Sequence, residues 1–166
     1  MFWMIPALVV AVLARSSVLS VWLPTRVLPD VALILIVLYG GLRGWRHGLA
    51  LGLLGGSIEG LVSAAPAGVP VFRLGMVGLG AGMCQSRFER TGVLFPPALV
   101  AVATLVADLL LAALALQAAG RVVVLGGPLA ADIAVQSVVN AGLSAIALPI
   151  IRRLFAPRPA TGEPLS

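Results

Sequence analysis

The chain has 166 residues, of which 60% are apolar and 10% are Asp, Glu, Lys or Arg, and its mean hydropathy is +1.11. A soluble domain carries about 25% charged residues, and 11 Arg, no Lys, three Asp and three Glu cannot coat the outside of a globule this size. A water-soluble enzyme, a disordered chain and a nucleic-acid-binding domain are thereby excluded, and an all-α integral membrane protein of one domain remains.

The net charge of +5 and the pI of about 11.4 would suggest nucleic acid in a soluble chain. Here the arginines fall in short stretches between apolar runs, where the cytoplasmic face of a membrane explains them better. Cys84 is the sole cysteine, so no internal disulfide forms, and no Cys/His cluster points to a metal. No cofactor is expected.

Six apolar segments follow one another. The first, Phe2 to Leu23, would span about 33 Å as a helix, against a hydrocarbon core of about 30 Å. A signal peptide is the weaker reading, because Arg15 follows the apolar part instead of preceding it. The second runs from Val31 to Leu42 behind Asp30, a predicted N-cap; its length fits a short span or a re-entrant piece, and with Val27 and Leu28 added it reads as a span. The third is the Gly-rich run Leu49 to Ala65, ended by the turn Pro66-Ala67-Gly68. The fourth is Val69 to Cys84, the fifth the long Val93 to Ala119, and the sixth Leu129 to Ile151, in which Pro149 should disturb only the last turn. The predicted organisation is one six-helix membrane domain over residues 1–155 and a Pro-rich disordered cytoplasmic tail over 156–166.

Six spans place both termini on one side. Arg43, Arg46, Arg87, Arg90, Arg152, Arg153 and Arg158 then share a face, against Arg26 and Arg121 opposite, so seven against two puts both termini in the cytoplasm. Trp22 and Trp45 fall near span ends, as interfacial anchors do.

Within the spans lie Arg15, Glu59, Arg73 and Asp108. Counting about 1.5 Å per residue from each segment's midpoint puts Arg15 about 4 Å, Glu59 and Asp108 about 3 Å and Arg73 about 5 Å outward of the midplane. Each alone costs about 2.5–3.5 kcal/mol there, so pairing is expected. Glu59 and Arg73 match in height on one hairpin and form the first expected pair, with Arg15 and Asp108 the second. Reversing the charges at 59 and 73 together should then rescue single reversals. A structural role for this layer competes with a proton or ion path, and the structural role is the stronger reading because no chain of carboxylates continues to either surface.

Gly48, Gly52, Gly56 and Gly60 recur every fourth residue, with Gly55 beside them, and make a flat groove for another backbone. Gly78 and Gly82 are the expected facing surface, and packing inside the protein is favoured over an external partner. Asp132, Gln136, Asn140 and Ser144 also recur every fourth residue and make one polar face. With Arg15, Ser16, Ser17, Ser20, Glu59 and Ser63 they suggest either a polar cavity opening outward or plain interhelical hydrogen bonding; a partner's helix on the stripe is a further alternative. His47 reads as a loop residue. Neither a phosphate-binding glycine loop nor a nucleophile elbow is present, and Gly75 to Gly80 lacks dinucleotide-binding spacing.

Pro29-Asp30 opening the second segment, Gly48, Gly52 and Gly56 after a basic turn, the acidic Glu59 three residues on, a small-residue turn to Gly68 and an Arg-containing loop after the fourth segment together resemble the rod shape-determining protein MreD family. The motif covers Pro29 to Arg90; length and six-span layout match more widely. Glu59 departs from the Asp that the family more often has there. The resemblance implies a non-enzymatic scaffold in the bacterial inner membrane, with a fold similar to the substrate-binding S-components of energy-coupling-factor vitamin transporters. It implies MreC, a bitopic coiled-coil protein, as the bound partner, direct or indirect contact with MreB, RodA and its transpeptidase, and a homodimer in complex with MreC. It brings no catalytic residue. The alternative is a vitamin-transporter S-component, for which Ala7 and Ala11 would be the docking pair; an ion-conducting protein is a third class.

Overall fold

The computed structural model describes residues 4–13, 29–63, 68–90, 94–118 and 127–155. Among them every regular element is a helix: α1 (Met4–Leu13), α2 (Val31–Arg43), α3 (Trp45–Val62), α4 (Gly68–Met83), α5 (Gln85–Arg90), α6 (Phe95–Ala118) and α7 (Gly127–Phe155). The parts of the first segment beyond Leu13, with Arg15, Ser16, Ser17, Ser20, Trp22 and Arg26, lie outside the described residues, as do Arg121, Arg158 and the tail.

Asp30 starts α2 as the sequence predicts. Its Oδ1 accepts from the Leu33 N–H at 3.0 Å, which satisfies a donor the first turn leaves open. Thirteen residues make α2 about 20 Å long, short of a bilayer core. It is the central helix, buried almost continuously from Ala32 to Leu42. Its other end differs from expectation. Gly44 alone joins α2 to α3, its N–H donating to the Gly40 carbonyl at 2.8 Å and its own carbonyl accepting from Gly48 at 3.0 Å. At φ 91° and ψ 174° it occupies a conformation open essentially to glycine alone. The basic turn is therefore helical: α3 begins at Trp45, not Leu49, and His47 lies in its first turn, donating from Nδ1 to the Arg43 carbonyl at 3.0 Å. His47 is thus a helix residue, not a loop residue, because one glycine suffices to reverse the chain.

α3 and α4 are packed backbone to backbone. A Cβ on Gly48 would fall on the Gly78 carbonyl, one on Gly52 on the Leu74 carbonyl, one on Gly56 on the Val71 backbone, and one on Gly82 on Trp45. These pairings descend along α4 as they ascend α3, so the two helices are antiparallel. Gly40 brings α2 against the same seam, next to Gly48 and Gly78. On the far side Gly55 receives Leu8 of α1 and Ile36 of α2.

α6 and α7 form a second antiparallel pair, tied where Thr104 meets Asn140. α7 runs to Phe155 without breaking at Pro149, beyond the end at Ile151 that the sequence predicts. The loop after α4 also contains an element, the short α5. The turn at Gly44 and the glycine seam alternate α2, α3 and α4, and α6 starts close after α5 and carries Asp108 back to Arg73. The gap from Ala118 to Gly127 is too short for α7 to run parallel to α6 with Asn140 at Thr104, so α2, α4 and α7 point one way and α3 and α6 the other. The ends of α2, α5 and α7 and the start of α3 consequently lie at one end of the bundle.

The core is apolar, with Leu33, Ile36, Leu38, Leu51, Leu74 and Val100 fully buried, and it encloses a small polar cluster. Arg73, Asp30, Thr104, Asn140 and Ser144 are buried, while Leu61, Phe72, Val102, Val138 and Ile146 are each more than half exposed. Two helices are long and apolar enough to cross a membrane, Phe95–Leu114 and Ala130–Arg153, with mean hydropathy 2.2 and 1.7. Only 17% and 28% of those windows are buried in the bundle, so their apolar surface mostly faces outward.

Candidate functional site

The centre of the molecule is one guanidinium surrounded by carboxylates from three other segments. Arg73, in the second turn of α4, is 1% exposed. Its Nη2 donates to Glu59 Oε1 at 2.8 Å and Oε2 at 2.9 Å, and to Asp30 Oδ2 at 3.3 Å. Its Nη1 lies 3.7 Å from Asp108 Oδ1 on α6. An arginine presents five N–H donors in a rigid fork and keeps its charge in any environment, which suits it to gather several carboxylates where water is scarce.

The expected pair of Glu59 and Arg73 is thus present as part of a larger set. Asp108 also faces Arg73, while Arg15, its expected partner, lies outside the described residues. Asp30 is the member that sequence reasoning missed. Its role as a cap was legible, but α2 is so short that its capped end sits inside the bundle, level with Arg73. One carboxylate thereby serves two helices: Oδ1 caps α2 and Oδ2 meets α4.

A neutral chain of hydrogen bonds continues from this cluster. The Asp30 N–H donates to Asn140 Oδ1 at 2.9 Å, Asn140 Nδ2 donates to Thr104 Oγ1 at 3.1 Å, and the Thr104 hydroxyl donates to the Val100 carbonyl at 2.9 Å. Every link is buried, where an unmet polar group would cost about 1–3 kcal/mol. Five helices, α2, α3, α4, α6 and α7, are joined through Arg73 and Asn140.

The polar stripe on α7 therefore divides. Asn140 and Ser144 are fully buried, Asn140 in this chain and Ser144 donating to the Ala141 carbonyl at 2.7 Å. Asp132 and Gln136, nearer the start of α7, are partly exposed. Asn140 thus follows the hydrogen-bonding alternative. A cavity of about 280 Å³ lies elsewhere, between α4 and α6, walled by Met76, Gly80, Ala103, Val106 and Leu110, with Arg73 its one charged border. Its walls are apolar.

The glycine groove is occupied from within. Gly48, Gly52 and Gly56 face α4 at contact distance, and Gly60 lies a turn further on, partly exposed. Ala7 is exposed and Ala11 buried at 6%, so these two do not form a common outward face. Among the described residues no group of His, Cys, Asp and Glu is arranged to hold a metal.

The arrangement defines an all-helical protein whose apolar core encloses one charge-paired polar cluster, with two helices long and apolar enough to cross a membrane. Neither a family model, nor a curated protein, nor a solved structure matches the chain.

Proposed function

We propose that the protein is a six-span, non-enzymatic scaffold of the bacterial inner membrane, of the MreD kind, that binds a single-span coiled-coil partner such as MreC and helps to organise peptidoglycan synthesis during cell elongation. The observation that carries the membrane part is the outward surface of α6 and α7, two helices long and apolar enough to cross a membrane with only 17% and 28% of those windows buried, beside exposed Leu61 and Phe72 on α3 and α4. In water the exposed residues would be costly, whereas in lipid it is the buried ones that must be paired. The ends also differ in charge. Arg43, Arg46, Arg87, Arg90, Arg152 and Arg153 are at one end with Glu89, and Asp30, Glu59, Asp108 and Asp132 toward the other with Arg73. This favours the arginine end as cytoplasmic, with both termini there.

Support for a scaffold over a carrier comes from how the space is used. The residues of the resemblance, Asp30, Gly48, Gly52, Gly56 and Glu59, all serve to lock α2, α3 and α4 around Arg73. A rigid unit of this kind suits a protein that fixes the stance of a partner's membrane helix. The test is purification of the full chain from its native membrane together with depletion in the cell. Recovery of a single-span coiled-coil protein and loss of rod shape are expected. Recovery of a bound vitamin with normal shape would overturn the scaffold in favour of an S-component.

A further inference from the structure

The arginine end has a composition and a geometry that the charge layer does not use. Five described arginines reach it from four helices: Arg43 at the end of α2, Arg46 at the start of α3, Arg87 on α5, and Arg152 and Arg153 at the end of α7. All but the partly exposed Arg152 are exposed. The short α5 at this end also carries Arg90 and one acidic residue, Glu89, so arginines outnumber acids there. Trp45 is 49% exposed here, and the Arg46 guanidinium lies 5.3 Å from the centre of its ring. Directly beside this set the surface turns apolar, with Met83, Leu94 and Ile150 all more than half exposed.

We infer that this end of the bundle is a binding site for the phosphodiester headgroups of anionic lipids. The inference rests on the membrane reading above. Guanidinium groups take phosphate oxygens in a bidentate fork, and a potential built from five of them concentrates anions at the surface. An indole with one apolar flank and one N–H sits at headgroup depth, and its face also accepts the cation of Arg46. The apolar border decides the source of the phosphate: a soluble anion has no use for Met83, Leu94 and Ile150, whereas a lipid places its acyl chains against them. An acidic protein would meet the same charges but would leave that border uncovered.

The full chain carrying Trp3→Phe and Trp22→Phe, so that Trp45 is the one indole left, is reconstituted in bilayers containing brominated phosphatidylglycerol or brominated phosphatidylcholine. Preferential quenching of Trp45 by the anionic lipid is expected. Each arginine changed to Gln should lower that preference by up to about fivefold at low salt, and raised salt should do the same. Arg43→Gln with Arg46→Gln, and Arg152→Gln with Arg153→Gln, are made as separate pairs so that one folding failure does not remove the test. Equal quenching by the two lipids would overturn the site. So would competition by free glycerol phosphate as effective as that by the lipid, or displacement of the lipid by an acidic peptide. Absence of quenching by either lipid would overturn the membrane reading itself, and the site with it.

Discussion

Arg73 and Asp30, 43 positions apart, meet at 3.3 Å because the helix that Asp30 caps is too short to carry that cap to the surface. The contact changes what a substitution at either position does. A charge in this setting cannot be understood from a single partner.

Arg73→Met should be the most damaging single change in the cluster. It leaves Asp30, Glu59 and Asp108 facing one another without the guanidinium they share. Removing one side of a buried ionic set costs about 3–5 kcal/mol. Thermal unfolding in detergent should show a loss in that range, and a shift no larger than that of a surface substitution would contradict the hub.

The double reversal Glu59→Arg with Arg73→Glu is expected not to restore stability. Pairing by height alone predicts rescue, since the ion pair is merely exchanged. The structure predicts the opposite, because a glutamate at 73 would face Asp30 and Asp108. Comparing the double variant with the two single reversals by the same unfolding measurement decides between the two. Full recovery in the double variant would mean that Asp30 and Asp108 contribute little.

Asp30 offers a graded test of its two roles. Asp30→Asn keeps an oxygen to cap Leu33 but loses the charge opposite Arg73. Asp30→Ala loses both, and the missing cap should add about 1 kcal/mol to the loss. Unfolding midpoints should therefore fall in the order wild type, Asn, Ala, and identical midpoints for the two variants would remove the cap from the account.

Glycines that look alike in the sequence should respond differently. Gly48→Ala or Gly52→Ala drives a methyl into the α4 backbone and should cost about 1–3 kcal/mol or more. Gly80→Ala meets no atom within 4 Å and should be neutral or slightly stabilising. Gly44→Ala is strained by backbone alone, at about 1–3 kcal/mol, and also meets Gln85. Equal tolerance at positions 48 and 80 would mean that α3 and α4 are not in close contact.

Single cysteines at exposed Ser63 and Ser86, in a Cys84→Ser background, test the orientation. The two sites lie at opposite ends of the α3 and α4 hairpin. In sealed vesicles a membrane-impermeant reagent should label them from opposite sides; labelling of both from one side would contradict a spanning hairpin.

The apolar excess, the helical class, the N-cap at Asp30 and the pairing of Glu59 with Arg73 were legible because each depends on composition or on spacing along one helix or one hairpin. Rise per residue converts position into height, and height alone brings 59 and 73 together. It does not reveal azimuth, so it says which charges share a layer but not which of them share a side. That is why Asp108 turns to Arg73, why Asn140 reaches Asp30, and why Asp30 belongs to the cluster at all. The same limit hid the turn at Gly44, where three basic residues read as a loop but one glycine with positive φ reverses the chain. Four-residue spacing made the glycine groove visible in the sequence, with Gly78 and Gly82 as its expected facing surface, while only the packed helices showed that Gly52 and Gly56 meet Leu74 and Val71. Sequence by itself determined that polar side chains had to find one another inside an apolar chain; the tertiary structure decided which ones met, because long-range contacts depend on how helices rotate about their axes, and no local pattern carries that angle.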